Sequence, residues 1–392
     1  MALQPAAGAR DLQPRAVEDN RRLCERLASV YRLWGYQEVA PPTIERIASL
    51  EAGGAIRFHE ILRLASDQPL GLRPELTAPI ARAASTRMLE RRRPLRLWAS
   101  GTTFRSVTGD GGDQRISEEL QSGVELLGVA SWEADRELMH LLLAATATLG
   151  LSAQHGPTLL VGHHGLLDAL LSPLEASLRS AVRQALTGFD PLALEELSLA
   201  ESDRSRFRTL LGLRGSPERV LYQLEQWLGP IPLLRSLAGL LQALEPAAAR
   251  QGVRLQFDPT FQPHFDLYDG LVFRLVCQGA DAPVAIASGG RYDALVGRFD
   301  ADPQRAAGTG FGFAIEAIRE LLEGGDAASG DEGPWLIATA TEVDPARALE
   351  IQEQRHRQGE AAELCLEPCP SRAEAEAIAA ARGCRGVVWL EA

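Results

Sequence analysis

Residues 96–127 read RLWASGTTFRSVTGDGGDQRISEELQSGVELL, and this stretch decides the fold. Arg96-Leu97-Trp98 to Phe104-Arg105 and Leu120 to Leu127 read as two strands, and Thr108-Gly109-Asp110-Gly111-Gly112-Asp113 between them is a dense turn cluster. The combination predicts an antiparallel hairpin with a glycine-rich loop. Gly109 to Gly112 has too few phosphate-binding features for a P-loop, so the loop is read as a hairpin turn.

Upstream, Leu23, Leu27, Val30, Tyr31 and Trp34 mark one apolar stripe of a helix that Gly35 ends. Tyr36 to Val39 then runs extended into Pro41-Pro42, a pairing that suits a strand end or an interface edge. Downstream, the apolar spacing from about Trp132 to Gly150 is helical, and Pro157 to Arg250 is rich in Leu, Ala and Arg with one short strand candidate, Leu159-Leu160-Val161. Strand-like runs return at Val253 to Phe257, Leu271 to Val276 and Val284 to Ala287, and Gly310-Phe311-Gly312-Phe313 leads into a helix through Ile315 and Ile318. The expected body is α+β: an antiparallel sheet flanked by helices, interrupted by a helical insertion at about 155–250 and then completed, over 1–323. A Gly/Asp/Ser stretch, Gly324 to Gly333, precedes a small α/β appendage over 334–392: strand Trp335 to Thr339, helix, strand near Glu363 to Leu366, helix from Ala373, strand Val387 to Leu390.

At 392 residues and 45% hydrophobic, the chain can bury one large core and a smaller one. No stretch approaches the ~18 apolar residues of a membrane span, and the charged N-terminus has no apolar signal region; a cytoplasmic location is expected. Cys24, Cys277, Cys365, Cys369 and Cys384 are odd in number and scattered, which fits reduced thiols and no disulfide framework. Cys365 and Cys369 with Cys384 lack a fourth ligand at finger spacing, so no metal is expected. A net charge of −12 disfavours a phosphate backbone as partner. The dense basic run, Arg91-Arg92-Arg93 before Pro94, reads as a solvated helix end.

Gly8-Ala9-Arg10-Asp11-Leu12, Arg73-Pro74-Glu75-Leu76-Thr77, Phe104-Arg105, Leu120-Gln121-Ser122-Gly123-Val124-Glu125, Asp266-Leu267-Tyr268 with Val272-Phe273, and Ser288-Gly289-Gly290-Arg291-Tyr292-Asp293 occur in this order. Together they resemble the class II histidyl-tRNA synthetases, up to about residue 322. That family has two kinds: the ligase itself, and a paralogue of its catalytic core that serves as regulatory subunit of ATP phosphoribosyltransferase, beside a short catalytic subunit in the first step of histidine biosynthesis.

The chemistry of adenylation separates the two. Attack on an α-phosphate needs fixed cations where negative charge develops. In the synthetases these are three arginines. Arg105 matches the one in motif 2, the histidine-specific one falls at Pro263 or its neighbour His264, and the motif 3 one falls at Ala317. The motif 2 glutamate falls at Val107. Each lost charge contributor costs roughly 3–4 kcal/mol of transition-state stabilisation, so adenylation is not expected and no catalytic residue is assigned. On the amino-acid side, the resemblance places Glu75, Thr77 and Gln121 around an α-amino group, Glu125 and Tyr268 around an imidazole, and Arg105 in the same histidine site. A carboxylate with neutral acceptors suits an ammonium, and a carboxylate with a phenol can fix one imidazole tautomer. Asp266, Gly289, Gly290 and Arg291 are expected as secondary pocket contacts. Leu267 replaces the first of the paired tyrosines, and Arg274 stands where a Glu is frequent. The resemblance thus implies a non-catalytic regulatory subunit that senses free L-histidine, needs no cofactor, pairs with itself as a dimer, and joins the short catalytic subunit in a hetero-oligomer, a hetero-octamer. The short C-terminal appendage has no obvious Arg and Lys cluster for a tRNA backbone, so no tRNA is expected. The rivals are a histidine-binding module for another partner and an active histidine–tRNA ligase.

Overall fold

The computed structural model describes residues 5–52, 56–108, 112–263, 267–300, 302, 305–323 and 333–391. The chain divides into two compact units, Met1–Gly325 and Asp326–Ala392. Among the described residues, the strands of the first unit in chain order are β1 (Gln37–Glu38), β2 (Ile44–Arg46), β3 (Leu70–Leu72), β4 (Leu95–Thr108), β5 (Gln114–Leu127), β6 (Thr158–His163), β7 (Arg254–Phe257), β8 (Leu271–Gln278), β9 (Pro283–Arg291) and β10 (Gly308–Ala314). β2 and β3 pair with each other, and the rest form one sheet in the order β1-β4-β5-β10-β9-β8-β6-β7.

β4 and β5 are the long hairpin, each 14 residues, in register from Leu95↔Leu127 to Thr108↔Gln114. The sheet is antiparallel from β4 through to β6, but its two edges are parallel, β1 on β4 and β7 on β6. β6 is therefore a full member of the sheet; what is inserted is the run of six helices from His164 to Arg250 that separates β6 from β7. The turn residues 109–111 and most of the 324–333 stretch lie outside the described residues.

Alternation along each strand sends side chains to two differently covered faces. On one face Trp98, Val124, Phe311 and Phe313 join Leu27 and Tyr31 of the helix Pro14–Leu33 and Leu138 and Leu142 of the helix Trp132–Thr146, in a core that continues into the inserted helices. On the other face Leu95, Leu97, Ala99 and Leu127 meet Ala78, Ile80, Ala81 and Ala84 of the helix Thr77–Thr86, together with Tyr292, Leu295 and Val296. A buried ion pair ties the sheet to the first of these layers. Arg291, at the end of β9, donates from Nη2 to Asp135 Oδ1 (2.8 Å) and from Nε to Asp135 Oδ2 (3.2 Å), and also to the Ser131 carbonyl (3.0 Å).

The second unit has three parallel strands, β11 (Trp335–Thr339), β12 (Ala362–Leu364) and β13 (Gly386–Leu390), in the order β12-β11-β13. The helices Pro345–Arg357 and Arg372–Ala381 make the crossovers. Ile337 and Leu390 pack with Val343 and Ala348 in one small cluster, and Ala338 packs with Cys369 and Ala375 in another. The Arg355 and Arg385 guanidiniums lie 4.5 and 4.7 Å from the centre of the Trp335 ring.

Arg291→Met removes one partner of a buried pair and leaves Asp135 uncompensated, which is expected to lower unfolding stability by roughly 3–5 kcal/mol. Urea unfolding checks this, and replacing Asp135 with Leu in the same chain should recover much of the loss. An unaltered midpoint in the single variant would overturn the structural role given to this pair.

Candidate functional site

The site is built on the hairpin face turned toward the helix Thr77–Thr86. Gln121, Gly123 and Glu125 of β5 share that face by alternation. Across the sheet Glu125 is opposite Gly310, which is opposite Gly290. Gly123 is opposite Gly312, then Ser288, then Arg274. These glycines make a floor without side chains, and the space has specific owners. A Cβ at Gly310 would fall 1.8 Å from Glu125 Oε2, and one at Gly290 would fall 2.7 Å from the Tyr268 ring, whereas one at Gly312 would meet nothing within 4 Å. Glycine is thus required where Glu125 and Tyr268 fold down onto the sheet, and the floor beside them stays bare.

One wall comes from Arg73-Pro74-Glu75-Leu76-Thr77. Arg73 is structural: its Nη1 donates to the Pro41 carbonyl (2.7 Å) and its Nε to the Thr102 carbonyl (2.9 Å), locking the segment across the hairpin. Thr77 opens the helix Thr77–Thr86, and the Glu75 carboxylate accepts from the backbone N–H groups of Thr77 and Ala78, a placement that the helix dipole favours. Arg105 donates from Nε to the Pro74 carbonyl (3.0 Å), which brings its charge beside Glu75. The Thr77 hydroxyl lies beside both the Glu75 and the Glu125 carboxyls and lowers the pKa of each. The Tyr292 hydroxyl donates to Glu125 Oε2.

The electrostatics follow from burial. Glu125 is 4% exposed, and its carboxyl is pushed up to about 8 mainly by burial, with nearby Glu75 adding to the rise and the Tyr292 and Thr77 hydroxyls opposing it. Glu75 is also raised, by burial first, against its backbone N–H bonds and Arg105. Burial and the two carboxylates raise the Tyr268 phenol, while Arg274 and Arg105 oppose the rise. Tyr292 is raised well above the usual phenol range by burial and by Glu125. One buried and one half-buried carboxyl and two phenols thus share a cleft with few guanidiniums. Such a grouping favours a ligand carrying an ammonium or an N–H donor over an anion.

The structure brings Glu75, Thr77, Arg105, Glu125 and Tyr268 together, with Gln121 on the same face of the hairpin. Gly290 belongs to the floor. Gly289, one residue earlier, faces the opposite side, where its Cβ would meet Phe273 and Phe311. Arg291 also points away from the cleft, into its pair with Asp135, and the residue that reaches the cleft from this segment is Tyr292. Sequence reasoning passed over Tyr292 and Gly310; strand parity was the available signal, since Arg291 and Gly290 must face opposite ways. Asp266 and His264 lie outside the described residues. Pro263 has no charge to offer, and Ala317 sits half-buried in the helix Ile315–Glu323. Among the described residues, no cluster of three or more His, Cys, Asp or Glu could hold a metal, and no helix is long and apolar enough to cross a membrane. A separate cavity of about 850 Å³ lies between the helices Pro217–Leu228 and Pro232–Arg250, lined by Leu221, Leu234 and Leu241 with Glu218, Glu225 and Glu245 at its polar parts. It contains none of the candidate residues.

Comparison with known proteins agrees with this geometry. The chain is 51% identical over 391 residues to the ATP phosphoribosyltransferase regulatory subunit of Synechococcus sp. (strain CC9902), and 52% identical over 391 residues to that of Prochlorococcus marinus (strain MIT 9303), covering 100% of both chains in each case. The chain belongs to the ATP phosphoribosyltransferase regulatory subunit family. The family is regulatory and non-catalytic, on a synthetase body: a family model described as histidyl-tRNA synthetase matches residues 8–318. A solved structure from Bacillus halodurans C, described as an ATP phosphoribosyltransferase regulatory subunit/histidyl-tRNA synthetase, superposes with a TM-score of 0.83 at 26% identity, covering 100% of this chain and 99% of that one. The histidyl-tRNA synthetase of Nostoc sp. PCC 7120 shares the fold, with a TM-score of 0.80 at 17% identity over 100% of this chain and 92% of that one. The class II synthetase-like α+β body is thereby shown.

The raised Glu125 carboxyl has a measurable consequence. Between its ordinary 4.5 and about 8 the folded chain holds a proton that the unfolded chain has released, so stability falls as pH rises through this window. In the ligand-free protein, Glu125→Gln is expected to flatten that decline by up to about 1.4 kcal/mol per pH unit. Urea unfolding at a series of pH values checks it, and an unchanged slope would mean that Glu125 titrates normally in the fold.

Proposed function

We propose that this chain binds free L-histidine in the cleft of Glu75, Thr77, Gln121, Glu125 and Tyr268, and transmits its occupancy to a short ATP phosphoribosyltransferase catalytic subunit in the first step of histidine biosynthesis. The observation that carries the reading is the charge balance of the cleft, where carboxyls and phenols outnumber guanidiniums; the resemblance adds that Pro263 and Ala317 stand where adenylation needs arginine. Glu75 with Thr77 and Gln121 takes the ammonium, and Arg105 offers a cation to the ligand carboxylate. Glu125 and Tyr268 take the two imidazole nitrogens, each from its own side, which selects one tautomer. Tyr292 supports Glu125 from behind.

A cationic partner also explains how Glu125 acts at neutral pH. An N–H donor from the ligand favours the carboxylate, offsetting the burial that raises it in the empty cleft. Binding energy then depends on a change of state at Glu125, and a ligand whose affinity differs between two states of the protein can shift them. Coupling to the catalytic chain needs differential affinity of the usual size, about 1–3 kcal/mol. The assembly in this proposal is a hetero-octamer built on self-paired dimers of this chain in the cytoplasm, and tRNA is not among its ligands.

Histidine at a hundredfold its dissociation constant is expected to stabilise the protein by about 2.7 kcal/mol, and Glu125→Ala to abolish the effect. Thermal unfolding with and without histidine reads this directly; a retained shift in the variant would mean the pocket is wrongly assigned. The functional test is phosphoribosyl-ATP formation by the short catalytic chain with and without this protein, across a histidine titration. Turnover that requires this protein and declines with histidine supports the proposal, and turnover indifferent to it refutes the partnership. Histidine-dependent ATP–pyrophosphate exchange by this protein alone would instead reveal a ligase.

A further inference from the structure

We propose that Cys365 and Cys369 in the C-terminal unit form a reversible dithiol–disulfide pair, oxidised by exchange with a low-molecular-weight disulfide. Their sulfurs lie 3.6 Å apart, already close to the separation from which a bond of ~2.05 Å forms by small side-chain rotations. Both residues are fixed to the same strand: the Cys365 N–H donates to the Ile337 carbonyl (2.8 Å) and the Cys369 N–H to the Thr339 carbonyl (2.9 Å), both in β11. The segment between them, Leu366-Glu367-Pro368, is thus held at its two ends, and Leu366 at its outer side is 86% exposed.

The two thiols differ in access, which sets the order of events. Cys365 is half-buried and can be reached from solvent, whereas Cys369 is 3% exposed, packed with Ala338 and Ala375. Burial and the adjacent Cys365 push the Cys369 thiol up to about 11, so it is protonated while the pair is reduced. The Cys365 thiolate attacks one sulfur of oxidised glutathione, the glutathione S–S bond breaks, and one glutathione leaves as thiolate and takes up a proton. Cys369 then loses its proton and attacks the Cys365 sulfur, forming the protein disulfide and expelling the second glutathione. The two cysteine sulfurs are oxidised and the two glutathione sulfurs reduced, with no other reactant. Excess thiol reverses both steps. Cys384 is not a third member: its sulfur is 3.6 Å from Glu363 Oε1.

The experiment uses the full chain equilibrated in glutathione buffers of increasing oxidised fraction, then alkylated and digested with trypsin. Both cysteines fall in the single peptide Gln358 to Arg372. The expected result is conversion of this peptide to an unalkylated form lighter by two hydrogen atoms, reversed by dithiothreitol, while Cys24, Cys277 and Cys384 remain alkylatable after unfolding. Cys369→Ser should instead stop at a glutathione adduct on Cys365. A wild-type peptide that stays doubly alkylated in the most oxidising buffer, or that stops at the adduct, overturns the proposal; because that readout is on the wild-type chain, it holds even where a variant folds poorly.

Discussion

Burial of the Glu125 carboxylate against a glycine floor is the constraint on which the cleft depends. A carboxylate removed from water costs several kcal/mol unless hydrogen bonds and a partner compensate it. Here the compensation comes from two hydroxyls, Thr77 and Tyr292, on segments far apart in sequence. Thr77 is placed because Glu75 caps its helix and Arg73 locks its segment to the hairpin; Tyr292 is placed because β9 turns off the sheet immediately after Arg291 is anchored by Asp135. Gly310 supplies the volume. Three parts of the fold therefore converge on one side chain, and disturbance of any of them is felt in the cleft.

On the proposed function, the same arrangement separates recognition of an amino acid from its activation. Recognition in that reading requires neutral and negative groups around an ammonium and an imidazole, and the proposed ones sit on the hairpin, the Glu75 segment and Tyr268. Activation requires fixed positive charge around a phosphate, supplied from other segments. Arg105 belongs to the hairpin, but Pro263 and Ala317 lie on other elements, so the side chains at those two positions can change without altering the floor or the carboxyls. The hydrogen-bonded sheet is indifferent to such replacements, which is why the fold superposes on a synthetase with a TM-score of 0.80 at 17% identity.

Much of this was legible in the sequence, for identifiable reasons. The hairpin announces itself through two strand runs around a glycine-rich turn, and Glu125 and Gln121 fall on one face by simple parity. The bare floor lay unread in Gly310-Phe311-Gly312-Phe313, taken only as the lead into a helix, although its alternation puts two aromatics into the core and two glycines on the other side. The roles in Gly289-Gly290-Arg291-Tyr292 were harder. A motif invites the assumption that all its members face one site, whereas a strand forces alternate members apart, and the final residue leaves strand geometry altogether, with φ −141° and ψ 52°. The membership of β6 in the sheet was hidden because six helices separate it from its parallel neighbour β7, and pairing at that sequence distance leaves no local signal.

Long-range pairing also sets where the inserted helices join the sheet relative to the site. They enter from the edge formed by β6 and β7, whereas the cleft lies over β5, β10 and β9, nearer the middle of the sheet. The core that joins the helices to the sheet occupies the opposite face, with Phe313 and Val161 at its base. Between the two faces stands the buried Arg291–Asp135 pair, which ties β9 to the helix Trp132–Thr146 one residue from Gly290 and one from Tyr292. A one-residue shift in strand parity there would exchange a cleft-facing side chain for a core one. That makes graded motion costly there and favours discrete states, the property a regulatory subunit needs.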